Sequence, residues 1–349
     1  MVNVSIIIPC LNEEKFIRSC LESVMAQDFP REDYEVLVVD GGSADGTRAI
    51  IAEFARASDN IRMIDNPRRI TPCALNVGIR ASAGTIIIRM DAHASYERDY
   101  VSKCVRYLHK YRADNVGGTM LTRARDKGLA GALIVGALTS RFGVGNSDFR
   151  TGVRVPTETD TVFCGCYPRS VFQRVGFFNE RLKRGQDMEF NIRLRKQGGK
   201  ILLVPEITCT YYPNTQVVWF IRNNFVNGVW AIRPFLYSVF LPVSLRHLVP
   251  LFFTAGLLIS FVQSIVSGDP RVLLAIVLAY AGCAFFFSFQ LSVKHKDPRF
   301  IFFMPFVYFC LHVSYGAGSL AGLAGCMLRQ KFWSNLFRMS LRRNAGARL

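Results

Sequence analysis

The chain has 349 residues, 50% of them hydrophobic, with a net charge of +17 and a mean hydropathy of +0.20, room for one large domain with an appendage or for two domains. So cationic a surface suits nucleic acid, anionic lipid or an anionic substrate, but no zinc-finger or ribonucleoprotein pattern supports nucleic acid. The ten cysteines are scattered without Cys-x-x-Cys spacing, which speaks against a zinc site or a disulfide framework and fits reduced thiols in a cytosolic domain.

Along the chain, strand and helix patterns alternate over roughly the first 120 residues, the rhythm of a parallel α/β sheet. Residues 4–9 form an apolar run of strand length rather than a signal peptide. Residues 15–26 carry Phe16, Ile17, Cys20, Leu21, Val24 and Met25 at helical spacing. Strands are predicted at 35–39, 61–64 and 85–90, and helices at 47–57, 72–82 and 100–108. The Gly-rich apolar stretch 128–145 is long enough for a span. Its break at Thr139, Ser140 and Arg141 predicts instead a helix packed inside the catalytic domain. A polar loop at 146–160, a strand at 162–166, a polar helix at 186–197 and a last strand at 201–204 follow.

After Trp219 the character changes. Residues 219–237 mix aromatics with Arg222 and Arg233, as interfacial helices do. Residues 248–266 and 272–293 are uncharged and long enough to cross a bilayer. The third apolar stretch, 300–328, contains Pro305, His312 and Gly316-Ala317-Gly318. Counting apolar stretches favours three crossings, whereas the basic tail (Arg338, Arg342, Arg343, Arg348) favours a cytosolic end, and on that charge this stretch is expected to be re-entrant or interfacial. His312 is expected to bond within the packed helices, for example to Ser314 or Tyr315, rather than to act chemically.

Three motifs carry chemistry. Val-Val-Asp-Gly-Gly-Ser-Ala-Asp-Gly-Thr (38–47) puts Asp40 at the end of a parallel strand, where nucleotides bind, so it suits a hydrogen bond from a base. A plain Asp-Gly turn capped by Ser43 explains the same residues. Asp91-Ala92-His93, at another strand end, offers two ligands for a divalent cation on a diphosphate, with His93 tilting preference from Mg²⁺ toward Mn²⁺. A helix-capping Asp beside a surface His is the plainer alternative. Asp187, at a helix start, is placed to take a proton from an attacking sugar hydroxyl, or merely to complement the helix N-terminus.

Together these motifs follow an order seen in inverting family 2 glycosyltransferases. Val-Ser-Ile-Ile-Ile-Pro-Cys-Leu-Asn-Glu-Glu (4–14) resembles that family's opening strand, and Ala74-Leu75-Asn76-Val77-Gly78-Ile79 its middle signature. Further motifs narrow the resemblance to the membrane-associated succinoglycan-biosynthesis glucosyltransferase type. They are Arg89-Met90-Asp91-Ala92-His93, Phe142-Gly143-Val144-Gly145, Asp160-Thr161-Val162, Gly165-Cys166-Tyr167, Val175-Gly176-Phe177-Phe178-Asn179-Glu180, His312 and Tyr315-Gly316.

The resemblance implies a GT-A fold: a Rossmann-like α/β domain with a mostly parallel sheet (1–214), interfacial helices (215–245), a transmembrane region of two to three segments (246–328) and a basic tail (329–349). It implies inverting transfer of a sugar, such as glucose from UDP-glucose, to a lipid-linked saccharide in exopolysaccharide or cell-surface glycan synthesis. The setting is the cytoplasmic face of a bacterial-type inner membrane, among membrane lipids and without nucleic acid. Asp40 would meet the base, Pro9, Leu11, Glu13 and Asn76 would join it in the nucleotide-sugar pocket, Asp91 and His93 would face the diphosphate and a Mn²⁺ or Mg²⁺ ion, and Asp187 would be the base. Leu11 stands where many relatives place an aromatic. Of the family's Gln-x-x-x-x-Gly-x-Trp segment only Gly228 and Trp230 persist, leaving Trp230 as a candidate acceptor or diphosphate contact. The rivals are transfer to polyprenyl phosphate itself, as in dolichyl-phosphate-mannose-synthase-like proteins, and a non-catalytic membrane partner. A dinucleotide oxidoreductase is disfavoured because the first strand–helix turn lacks Gly-x-Gly-x-x-Gly.

Overall fold

The computed structural model describes residues 2–126, 128–238 and 243–346, the last eight as backbone only. They form two compact units, Met1–Arg123 with Asp148–Tyr212, and Ala124–Ser147 with Pro213–Leu349.

The first unit opens with β1 (Val4–Cys10), α1 (Ile17–Met25), β2 (Tyr34–Asp40), α2 (Thr47–Ala57), β3 (Ile61–Asp65), α3 (Thr71–Ala81) and β4 (Ile86–Arg89). It continues through β5 (Ala94–Tyr96), α4 (Tyr100–Tyr111) and β6 (Asn115–Thr122). After the chain has visited the other unit through α5 (Leu129–Thr139) and α6 (Arg141–Val144), it returns as α7 (Asp148–Thr151), β7 (Thr157–Glu158), β8 (Phe163–Pro168), α8 (Arg169–Val175), α9 (Gln186–Lys196) and β9 (Ile201–Tyr211). The strands lie in the order β3-β2-β1-β4-β8-β6-β9-β5, with β7 on β9.

The side from β3 to β4 is parallel, and its central strands are apolar on both faces because helices cover both. Beyond β4 the sheet is mixed: β8 runs antiparallel to β4 and β6, and β5 antiparallel to β9. The expected last strand is longer than its 201–204 core. It runs to Tyr211 through a register shift opposite Gly118/Thr119, and Pro205 falls inside the irregular stretch, where a missing N–H is tolerated.

The second unit adds α10 (Val217–Ile232), α11 (Val249–Ser267), α12 (Arg271–His295), α13 (Arg299–Met327) and α14 (Gln330–Gly346). The helices ending at Ser267, His295 and Met327 are long and apolar enough to cross a membrane. Two expectations are corrected here. The apolar segment after residue 128 belongs with these helices and not with the catalytic sheet: Leu133, Ile134 and Ala137 cluster with Phe220, Leu291, Phe300 and Met304. An 11-residue helix without a polar face needs apolar neighbours on most sides, and long lipophilic helices supply them.

The bend expected in the third apolar stretch is also absent, since residues 299–327 form one helix. Pro305 lies near its start. The glycines that suggested a break are instead close-packing points: a Cβ on Gly318 would lie 1.9 Å from the Phe225 carbonyl oxygen, and one on Gly228 1.9 Å from that of Tyr315. His312 is held within the unit as expected, but by other partners, the Tyr280 hydroxyl (2.9 Å, Nδ1) and the Phe142 carbonyl (3.0 Å, Nε2). Of the basic tail, Arg338 is exposed on α14, while Arg348 and the side chains of Arg342 and Arg343 lie outside the described residues.

Gly318→Ala therefore drives a methyl into the α10 backbone, while Gly325→Ala meets nothing within 4 Å. Thermal unfolding in detergent should show Gly318→Ala destabilised by about 1–3 kcal/mol and Gly325→Ala unchanged or slightly stabilised. Equal midpoints would refute this packing.

Candidate active site

The parallel half of the sheet ends in a row of functional positions. Cys10 pairs with Asp40 and Ile7 with Arg89, so the carboxyl ends of β1, β2 and β4 share one edge, where open α/β sheets bind ligands. Two loops are laced together there. Asn12 N–H donates to Ser43 Oγ (2.8 Å), Ala44 N–H to Asn12 Oδ1 (2.9 Å) and Glu13 N–H to Thr47 Oγ1 (2.8 Å). Pro9, Leu11 and Glu13 are half-buried along this edge, and Leu11 lies against Gly41.

Asp40 organises the turn. Its Oδ2 accepts from Gly42 N–H (2.9 Å), Ser43 N–H (3.0 Å) and Arg48 Nη1 (2.7 Å), and Oδ1 from Ser43 Oγ (2.5 Å). Burial pushes its carboxyl up, but the Ser43, Arg48 and Gly42 donors outweigh that and hold it below the ordinary Asp range. The side chain is 0% exposed with both oxygens engaged. Its contacts within the protein are those of a braced Asp-Gly turn at the end of β2.

The centre of the site is Arg89, to which the sequence reading gave no role. It shares a strand face with Asp91, two residues on, and that alternation was the available signal. Its Nη2 bonds Asp91 Oδ1 (2.8 Å) and its Nη1 bonds Asp187 Oδ2, so one guanidinium joins the end of β4 to the start of α9. Burial opposes the Arg89 charge, and the Asp187 and Asp91 carboxylates more than restore it. Burial likewise raises Asp91, yet Arg89 and His93 hold it below the usual range. Asp187 Oδ1 is shielded and has no hydrogen-bond partner in the protein.

His93 Nδ1 lies 3.1 Å from Glu13 Oε1. Burial disfavours its imidazolium, while the Glu13 hydrogen bond and the Asp91 charge win and raise its pKa. With Nδ1 turned to a carboxylate, Nε2 is left as the ligating atom, the arrangement common behind metal-bound histidines. A carboxylate and an imidazole two residues apart fit a divalent cation. Among the described residues no three His, Cys, Asp or Glu side chains gather, so a cation held here would need further ligands from water or substrate oxygens. The Tyr211 ring packs edge-on to His93, with centroids 5.2 Å apart.

Two further residues singled out in the sequence contact partners other than Arg89, Asp91 and His93. Asn76 is buried and spends its amide on the segment before α9: Nδ2 donates to the Phe178 carbonyl (2.9 Å) and Glu180 Oε1 (2.9 Å), while Oδ1 accepts from Phe178 N–H (3.0 Å). These bonds tie α3 to that segment. Trp230 lies on α10 in the second unit, with Arg233 5.3 Å above its ring.

A curled mixed sheet with its chemistry at the carboxyl edge of the parallel strands is the GT-A glycosyltransferase fold. It is shared with the mannosyltransferase PcManGT from Pyrobaculum calidifontis, solved with GDP-Man and Mn²⁺, at a TM-score of 0.58 and 19% identity over 92% of this chain and 87% of that one. Residues 5–175 match the family description Glycosyl transferase family 2. The chain is 31% identical over 248 residues to the succinoglycan biosynthesis protein ExoA of Rhizobium meliloti, covering 70% of this chain and 74% of that protein. It is 28% identical over 326 residues to dolichyl N-acetyl-alpha-D-glucosaminyl phosphate 3-beta-D-2,3-diacetamido-2,3-dideoxy-beta-D-glucuronosyltransferase of Methanococcus voltae, covering 90% of this chain and 95% of that protein. The chain belongs to glycosyl transferase family 2 and is a glycosyltransferase.

The turn at Asp40 gives a pH dependence. Its pKa is lower folded than unfolded, so its contribution is present above about pH 4, the unfolded Asp value, and is lost as pH falls through the folded value. Asp40→Asn should cost about 2–4 kcal/mol at neutral pH and flatten the acid limb of the stability curve. Denaturant titrations at pH 7 and pH 3 check both, and an unchanged acid limb would count against the ion pair.

Proposed function

We propose that this chain transfers a sugar, with inversion, from a UDP-linked nucleotide-sugar such as UDP-glucose to a lipid-linked saccharide, in assembly of an exopolysaccharide or another cell-surface glycan. The observation that carries the reading is the Arg89 bridge, which brings the acids of two separate motifs to one edge beside His93. The nucleoside is received along Pro9, Leu11, Glu13 and the turn that Asp40 holds. Asp187 is the general base. Arg89 fixes its Oδ2, which leaves Oδ1 to accept the proton of the attacking hydroxyl. Asp91 and His93 would hold a divalent cation, which would supply countercharge to the departing diphosphate. The M. voltae relative is named for an acceptor that already bears a sugar on its dolichyl phosphate, which favours a saccharide acceptor over polyprenyl phosphate itself.

One set of assays tests the reading: full-length protein in membranes, a panel of labelled nucleotide-sugars, and identification of the lipid product. Asp187→Asn should lower transfer by about 10²–10⁴-fold with nucleotide-sugar affinity kept within a few-fold. Chelator should abolish activity, and Mn²⁺ should restore it better than Mg²⁺. A mutant with most of its activity would reassign the base, full activity in chelator would remove the metal, and a lipid monophosphate sugar as product would select the polyprenyl-phosphate rival.

The same reading sets the catalytic unit on the cytoplasmic face of a multi-pass membrane protein, where nucleotide-sugars are. The unbroken α13 favours three crossings over a re-entrant third segment. A cysteine placed after Arg343, in a background cleared of other reactive thiols, should then be labelled by an impermeant reagent on intact cells. Labelling only after lysis would return the tail to the cytoplasm.

A further inference from the structure

Most strongly buried charges in the catalytic unit have an opposite partner. Asp40 has Arg48, Glu35 has Arg62, and Asp91 and Asp187 share Arg89. Arg150, on α7, breaks the pattern. Its guanidinium lies 5.4 Å from the Phe149 ring and 5.9 Å from the Tyr211 ring, it makes no ion pair with a described carboxylate, and its Nη1 is shielded from solvent without a hydrogen-bond acceptor. Burial lowers its pKa, and only the Tyr211 hydroxyl acts against that. Ring faces attract a guanidinium, but they offer no acceptor for its N–H groups, so the shielded Nη1 of this half-buried side chain remains unpaired.

A second cation shares this surrounding. Arg184 is also disfavoured by burial and also feels Tyr211. Tyr211 in turn senses Arg150, Asp91, Glu13 and Arg184, and its ring meets His93 edge-on. Arg150 thus stands on the aromatic wall that also meets His93, with its shielded Nη1 unspent. A planar fork of donors on a low-dielectric wall suits a phosphate oxygen pair.

We propose that Arg150, on the wall formed by Phe149 and Tyr211, is a phosphate-binding group of the catalytic unit. Its ligand is a phosphate or diphosphate ester, and on the glycosyltransferase reading, on which this rests, two substrates carry one: the nucleotide-sugar donor and the lipid-linked acceptor.

The test uses the full chain in detergent, with inorganic pyrophosphate as probe and chelator present, so that cation-mediated binding at Asp91 and His93 does not contribute. Calorimetry should show Arg150→Gln weakening pyrophosphate binding about tenfold or more, and Arg150→Lys, which keeps a point charge, weakening it less. The ligand-free melting temperature of Arg150→Gln should stay level or rise, because an uncompensated cation has been removed. Titrating pyrophosphate onto protein saturated with UDP separates the sources. Binding that persists and still depends on Arg150 assigns the site to the acceptor's phosphate, and binding that UDP abolishes assigns it to the donor's. Unchanged pyrophosphate affinity in Arg150→Gln would overturn the proposal. So would a lowered melting temperature with affinity intact, which would make Arg150 a stacking residue of α7. None of these readouts needs turnover, so absence of transfer with every nucleotide-sugar would count against the enzymatic reading while leaving the site to stand or fall by itself.

Discussion

The catalytic edge depends on one guanidinium. Two carboxylates brought together in a shielded site repel, and the usual relief is for one to take up a proton. Arg89 removes that pressure by lying between Asp91 and Asp187. Its own position is set by backbone, because β4 is clamped between parallel β1 and antiparallel β8. Asp187 is delivered by the first turn of α9, which starts directly after Gly185 in the left-handed region (φ 74°). Strand register and a helix start therefore fix both ends of a bridge whose middle is electrostatic.

The same rule operates around it. Glu35 is reached by Ser5 Oγ (2.7 Å), Ala83 N–H (2.5 Å) and Arg62 Nη2 (2.8 Å), and the Asp40 turn is closed by Arg48, which also reaches Asp65 at the end of β3 (2.7 Å). Donors gathered around each acid outweigh its desolvation, so the acids stay ionised at neutral pH. Arg150 is informative because it stands outside a rule its neighbours obey.

Local pattern made much of this architecture legible. The parallel core strands, α1, α2 and α3 were readable from runs such as Ile6-Ile7-Ile8 and the helical spacing of Ile17, Cys20, Leu21 and Val24. β6 was not, because Asn115, Gly117 and Gly118 break the apolar run that marks a strand. Their reasons are tertiary: a Cβ on Gly118 would fall 1.9 Å from the Ile207 carbonyl oxygen, and Asn115 bonds Asn191 on α9. The acids at 40, 91 and 187 were legible as residue types at strand ends and a helix start. The Arg89 bridge and the Glu13–His93 contact were not, because a sequence does not say which partner a side chain reaches. Periodicity also cannot assign an all-apolar helix to one of two cores, and α5 was misplaced for that reason.

That misplacement has a functional side. The chain passes between its two units three times, at 123/124, 147/148 and 212/213. Tyr211 comes just before the last crossing, and Phe149 and Arg150 just after the middle one. The residues around the unpaired guanidinium are thus the catalytic unit's residues nearest in sequence to the apolar helices. A nucleotide-sugar arrives from water, whereas an acceptor on a lipid carrier holds its phosphate at headgroup depth and projects only its saccharide. Were the phosphate site the acceptor's, Arg150 at this boundary and Asp187 on α9 would engage the two ends of one substrate.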